Sequence, residues 1–130
     1  MPNIHTSYMY YLNLSIMRQV LFSNANPTPT GLTHTFKSPS DGLVTFTVYG
    51  SCFAIRPQLL AYLVISINGK IVAEPGIFAN VAQQHMTVTP AVFQLDLPGG
   101  PNTDQTITIA PYTASTQVDS NDQFTVVIDY

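Results

Sequence analysis

Charge is scarce in this chain. Acidic and basic side chains together make up 8% of its 130 residues, against about a quarter in an ordinary soluble protein. Lys37, Lys70, Arg18 and Arg56 are all of its lysine and arginine. So few cations cannot neutralise a run of phosphates, which excludes nucleic acid as a partner. They cannot hold an anionic membrane surface either. Cys52 is the single cysteine, so no disulfide can form within the chain. No stretch of roughly 18 consecutive apolar residues occurs, so no membrane insertion is expected. Residues 1–23 are apolar but interrupted by Asn13, Ser15, Arg18 and Gln19, with no basic start and no small-residue cleavage site. They do not read as a secretion signal, so the Asn13-Leu14-Ser15 sequon carries little weight. The localisation is left open between a particle-associated and a cytoplasmic setting.

What replaces the charge is Thr, Ser, Asn and Gln, while the hydrophobic fraction, 45%, is ordinary. Threonine favours strands. A neutral polar surface is also cheaper to bury against another molecule than a charged one. The length fits one domain of the usual 100–200 or so residues. Residues 1–31 read as an N-terminal strand and a Pro-rich loop, and residues 32–130 as the body of the fold.

Period-two alternation recurs along that body. Val44, Phe46 and Val48 alternate with Thr45, Thr47 and Tyr49 after a Ser38-Pro39-Ser40-Asp41-Gly42 turn. Strands are expected at about 32–37, 43–52, 59–67, 70–74, 84–89, 92–97 and 106–110, then from Phe124 to Tyr130. Residues 10–22 fit either a strand or a helical face; a strand is preferred because few strong helix formers are present. Asn68-Gly69 predicts a two-residue hairpin of type I′ with both residues at positive φ. That turn would set Ile67 opposite Lys70, Ile65 opposite Val72 and Leu63 opposite Glu74. The alternation and turns predict an all-β antiparallel sandwich or barrel.

The catalytic inventory is thin. Gly50-Ser51-Cys52 is not a G-x-S-x-G elbow, and Cys52 reads as a small buried hydrophobe. The carboxylates suggest no glycosidase dyad. No enzyme activity is expected. His5, His34 and His85 are far apart in sequence with no metal-ligand spacing, and His34 shares a strand face with Leu32 and Phe36. No resident cofactor is expected; calcium is the candidate cation, on Asp119, Asn121 and Asp122, with Asp104 as a further oxygen donor. The competing reading of that segment is an ordinary turn whose Asx side chains bond their own backbone. For a sugar, Tyr112 beside Thr113, and Tyr62, are the candidate aromatic platforms. Tyr112, Asp119, Asn121 and Asp122 are therefore the ligand-binding candidates.

Several segments together carry a family resemblance: Phe36-Lys37-Ser38-Pro39-Ser40-Asp41-Gly42 before Phe46-Thr47-Val48-Tyr49-Gly50, then Leu63-Val64-Ile65-Ser66-Ile67-Asn68-Gly69-Lys70. Phe93-Gln94-Leu95-Asp96-Leu97-Pro98-Gly99-Gly100 before Thr106-Ile107-Thr108-Ile109, and Asn121-Asp122-Gln123-Phe124, complete the pattern. It resembles the C1q/tumour-necrosis-factor jelly roll over about residues 32–130. The resemblance implies a jelly roll of eight or ten strands, a homotrimer, and binding of a surface glycan or protein without catalysis, as in heads of phage and viral fibres. The alternative is a small lectin or carbohydrate-binding module with a calcium-assisted site. For self-association, the expected contact is the second hairpin face with Tyr62, Val64 and Ile71, or the aromatics Phe124 and Tyr130.

Overall fold

In a computed structural model, residues 17–39 and 43–130 are described. The Ser40-Asp41-Gly42 turn, most of the ambiguous 10–22 segment, and His5 lie outside them. Among the described residues eleven strands occur and no helix, so none is long and apolar enough to cross a membrane. The strands are β1 (Arg18–Ala25), β2 (Leu32–Lys37), β3 (Leu43–Ala54), β4 (Leu59–Ile67), β5 (Lys70–Ala73), β6 (Gly76–Ala79), β7 (Met86–Thr87), β8 (Ala91–Asp96), β9 (Asp104–Pro111), β10 (Thr116–Gln117) and β11 (Phe124–Asp129).

They form two antiparallel sheets. In the first, β3 is flanked by β11 and β10 on one side and by β8 and β7 on the other, with β1 outside β11. The second runs β2-β9-β4, with β5 and β6 both on β4. Counting β5/β6, β7/β8 and β10/β11 as single interrupted strands leaves eight, in the orders β1-β11-β3-β8 and β2-β9-β4-β5. Early and late strands thus neighbour each other in both sheets, which is the wiring of a jelly-roll sandwich.

Alternation decides what lies between the sheets. Val44, Phe46, Val48 and Cys52 of β3 point inward, as do Leu63, Ile65 and Ile67 of β4. Ile107 and Ile109 of β9 and Phe124, Val126 and Ile128 of β11 close the layer, all fully buried. Each such side chain contributes roughly 1.5–3 kcal/mol on leaving water. Phe46 stacks on Phe93 at 5.1 Å and meets the edge of Phe36 at 6.0 Å. Phe124 is therefore enclosed in the chain's own core and cannot serve a contact with another copy. Tyr130 is half-buried against the same core. Cys52 is fully buried, as expected, and burial pushes its thiol up to about 12.

The Asn68-Gly69 turn has the expected torsions, φ 52° and 82°. Asn68 fastens it to β9. Its N–H donates to Thr106 O at 2.8 Å, its Oδ1 accepts from Thr106 N, and its Nδ2 donates to Gln105 Oε1 at 2.7 Å. The hairpin register holds only next to the turn. Ile67 opposes Lys70, but a bulge then sets Ile65 opposite Ala73 rather than Val72. The extra residue lets both Val72 and Ala73 pack against the core. Glu74 does not oppose Leu63 either: the Leu63 N–H donates to Pro75 O at 2.9 Å. The strand continues through Pro75 into β6, beyond its expected end at residue 74. The proline is tolerated because this is a sheet edge. β1 likewise extends to Ala25, into residues expected to be loop.

Candidate functional site

Two places gather chemistry. The first is built on β3. Ser51 and Phe53 lie on the outward side of the alternation that buries Gly50, Cys52 and Ala54. Between β10 and β11 the chain leaves β3 and makes a turn over this point, residues 118–123. Asp119 Oδ1 accepts from the Asn121 N–H at 2.9 Å, an Asx turn. The Asp122 carboxylate is wholly buried and all its neighbours donate to it. Its Oδ1 accepts from Ser51 Oγ at 2.7 Å and faces His85 Nδ1 at 2.8 Å, and its Oδ2 accepts from the Asp119 N–H at 2.9 Å. Ser51 Oγ in turn accepts from the Gln123 N–H.

His85 comes from the other flank of β3, just before β7. Its ring sits 4.5 Å from that of Phe53. Its Nε2 lies 3.7 Å from Asp119 Oδ2. His85, Asp119 and Asp122 thus bring one ligand-capable atom each within 4.8 Å of one another. Sequence spacing gave no signal for His85 here. Asp104 lies elsewhere: it starts β9 at the opposite end and pairs with Lys37 at 2.7 Å. His34 packs on Phe22 at 5.0 Å.

Ser51, Asp122 and His85 are the residue types of a hydrolytic triad in the wrong order. Such a triad needs the imidazole between the hydroxyl and the carboxylate, so that it can take the hydroxyl proton. Here the carboxylate lies between the other two. A cleft of about 390 Å3 adjoins this place, lined by Pro29, Phe53, Thr113, Thr116, Gln117 and Asp119 among others.

The second place is the outer face of the β2-β9-β4 sheet. β4 and β9 pair so that Tyr112 donates its N–H to Tyr62 O at 3.0 Å. This brings together two candidates that the sequence kept apart. Their rings stack with centroids 4.4 Å apart and planes 16° from parallel. Loss of solvent, together with Tyr112, raises the pKa of the Tyr62 phenol. Gly76 opposes Tyr62, and a Cβ there would collide with Tyr62 Cβ, so the glycine leaves room for the ring. Leu60 and Phe78 form the next cross-strand pair, 53% and 56% exposed, and Tyr112 is 41% exposed. Val64 continues this face half-buried, and Ile71 lies exposed at its edge. Towards β2 the face turns polar. Thr33 pairs with Thr108 through their hydroxyls at 3.2 Å, and Thr35 lies beside Thr106.

No protein-family model matches the chain, and no curated protein sequence does. Among solved structures, dimeric latent PorU from Porphyromonas gingivalis is similar with a TM-score of 0.51 at 10% identity, covering 89% of this chain and 13% of that one. The chain thus spans a small part of PorU, and the likeness supports the sandwich fold alone. A family 35 carbohydrate binding module from Clostridium thermocellum gives a TM-score of 0.44 at 12% identity, covering 88% of this chain and 89% of that one. The C-terminal domain of EclA, a sugar-binding protein, gives 0.41 at 16% identity, covering 86% and 75%. None of these three is a C1q or tumour-necrosis-factor protein.

Proposed function

We propose that this chain is a non-catalytic carbohydrate-binding module that uses the outer face of the β2-β9-β4 sheet. The observation that carries the reading is the stacked Tyr62–Tyr112 pair, Tyr62 half-buried and Tyr112 open to solvent, on the face that also exposes Leu60 and Phe78. Sugars present apolar C–H faces and a rim of hydroxyls. Aromatic rings cover the first, and tyrosine tips and neutral hydroxyls bond the second. The threonines of β2 and β9 supply such hydroxyls without a charge to desolvate. The absence of a working order among Ser51, Asp122 and His85, and the enclosed thiol of Cys52, support binding without catalysis.

Retention on an array of neutral oligosaccharides tests this. The wild-type chain is expected to bind a subset, and Tyr112→Ala to lose about tenfold, since one stacked ring is worth roughly 0.5–1.5 kcal/mol in addition to the area it buries. No retention on any glycan, or equal binding by Tyr112→Ala, overturns it.

A second reading uses the same face for self-association. Leu60, Phe78 and Ile71, each more than half exposed, favour it. Light scattering at rising concentration separates the two: a stable trimer or dimer that Ile71→Asp splits would give the face to another copy.

A further inference from the structure

We propose that His85 Nε2 and Asp119 Oδ2 form an open binding site for one Zn2+ ion, with Asp122 holding the imidazole in place. The argument starts with the proton on His85. Asp122 accepts from Ser51 Oγ and the Asp119 N–H, so the ring nitrogen facing it must also donate. Nδ1 therefore carries the hydrogen, and the lone pair of the neutral ring sits on Nε2. A buried carboxylate fixing one ring nitrogen while the other is presented outward is the arrangement in which proteins hold metal-binding histidines. The Phe53 ring, 4.5 Å away, limits how the imidazole can turn.

Nε2 faces the Asp119 carboxylate at 3.7 Å. That gap is long for a hydrogen bond, which needs about 2.7–3.2 Å. It is close to what two donors on one cation need: bonds of about 2.0–2.2 Å to a tetrahedral zinc ion place the donor atoms roughly 3.3–3.5 Å apart, so a shift of a few tenths of an ångström closes the site. Nε2 makes no hydrogen bond among the described residues. With the neutral ring, two electron-rich atoms face each other there, which a cation would relieve; with a protonated ring the same contact is an ion pair, and the ring-nitrogen spectra separate the two.

The donor types select the ion. Imidazole nitrogen with a carboxylate oxygen suits zinc and its neighbours, while calcium takes six to eight oxygens. The oxygens that would serve calcium are largely committed. Asp122 accepts at both oxygens, and Asp119 Oδ1 accepts from Asn121. Both ligands are reachable, with 33% and 40% of their side chains exposed. Asp119 also lines the cleft of about 390 Å3. Two protein ligands leave positions for water or for an oxygen of a molecule in that cleft.

The test needs no sugar, so it stands apart from the glycan reading. The full chain, stripped with chelator, is titrated with ZnCl2 by calorimetry. His side-chain nitrogens are followed by long-range 1H–15N spectra. The expected result is one Zn2+ per chain, with the His85 Nε2 resonance moving as Nδ1 keeps its proton. His85→Gln and Asp119→Asn should each remove the binding. Asp119→Asn keeps an Oδ1 for the Asx turn, so its melting temperature in chelator should stay close to wild type. No saturable Zn2+ binding, binding that both variants retain, or a Nε2 signal that reports only a protonated ion pair overturns the proposal.

Discussion

Replacing Asp122 by Ala should cost more stability than most single changes in this fold. The side chain is wholly buried and receives Ser51 Oγ, His85 Nδ1 and the Asp119 N–H. A hydrogen bond to an ionised group contributes about 1.5–3 kcal/mol, and a buried donor left without a partner costs about 1–3 kcal/mol. His85 is partly exposed and can turn back to water, so its share is discounted. Ser51 and the Asp119 N–H are only partly buried too, which brings the total to about 3 kcal/mol. For a domain of this size that is roughly a 10 °C drop in Tm. Asp122→Asn should lose about half as much: its Oδ1 still accepts, but its NH2 then faces the Asp119 N–H, donor against donor. Thermal unfolding followed by far-UV circular dichroism measures both. A Tm within about 3 °C of wild type for Asp122→Ala would refute the view that this carboxylate holds the turn to β3.

Two of the four positive-φ glycines among the described residues, Gly69 and Gly31, should separate torsion from space. Gly69→Ala meets no atom but keeps an unfavourable φ of 82°, costing about 1 kcal/mol, whereas a Cβ at Gly31, φ 111°, would also strike the Ile109 carbonyl, so Gly31→Ala should melt several degrees lower. Cys52 should resist iodoacetamide in the native state. Its pKa rises from 9.0 to about 12 on folding, so native protein keeps a proton that the unfolded chain releases; its contribution to stability is intact below pH 9.0 and falls as pH rises towards about 12.

The strands whose bounds the sequence predicts well are those with unbroken alternation. β2 and β4 match their expected limits, and β9 and β11 differ only at their ends. β6 and β10 are fragments of four and two residues, too short for any period to register, and of the strand expected at 84–89 only the two residues of β7 are formed. β5 and β6 pair with one strand across Pro75, and local chemistry cannot distinguish a proline at a sheet edge from one in a loop. The hairpin turn was legible because it is local. The bulge at Val72 was not, because it answers to core packing from the other sheet. The same limit explains Phe124. Alternation says that Phe124, Val126 and Ile128 share a face, but whether that face turns to the core or to a partner depends on where β11 lands beside β3.

The candidate site was legible residue by residue and illegible as a place. Asp119, Asn121 and Asp122 announce a turn, and Tyr62 and Tyr112 announce strand-borne rings, yet nothing local joins Tyr62 to Tyr112 or His85 to Asp122. Both unions follow from the jelly-roll wiring, which lays β9 against β4 and sends the β10–β11 connection over β3. Charge scarcity then sharpens what those unions mean. Asp119 and Asp122 are two of seven acidic side chains. Two others, Asp104 and Asp129, form surface ion pairs, which contribute little. Burying Asp122 completely is the expensive choice in such a chain, and an uncharged Asn could have capped the turn. What an Asn could not do is accept from Ser51, His85 and the Asp119 N–H together. The cost of that buried charge is offset by those three donors, and one of the three is the ring nitrogen that decides which face of His85 looks outward.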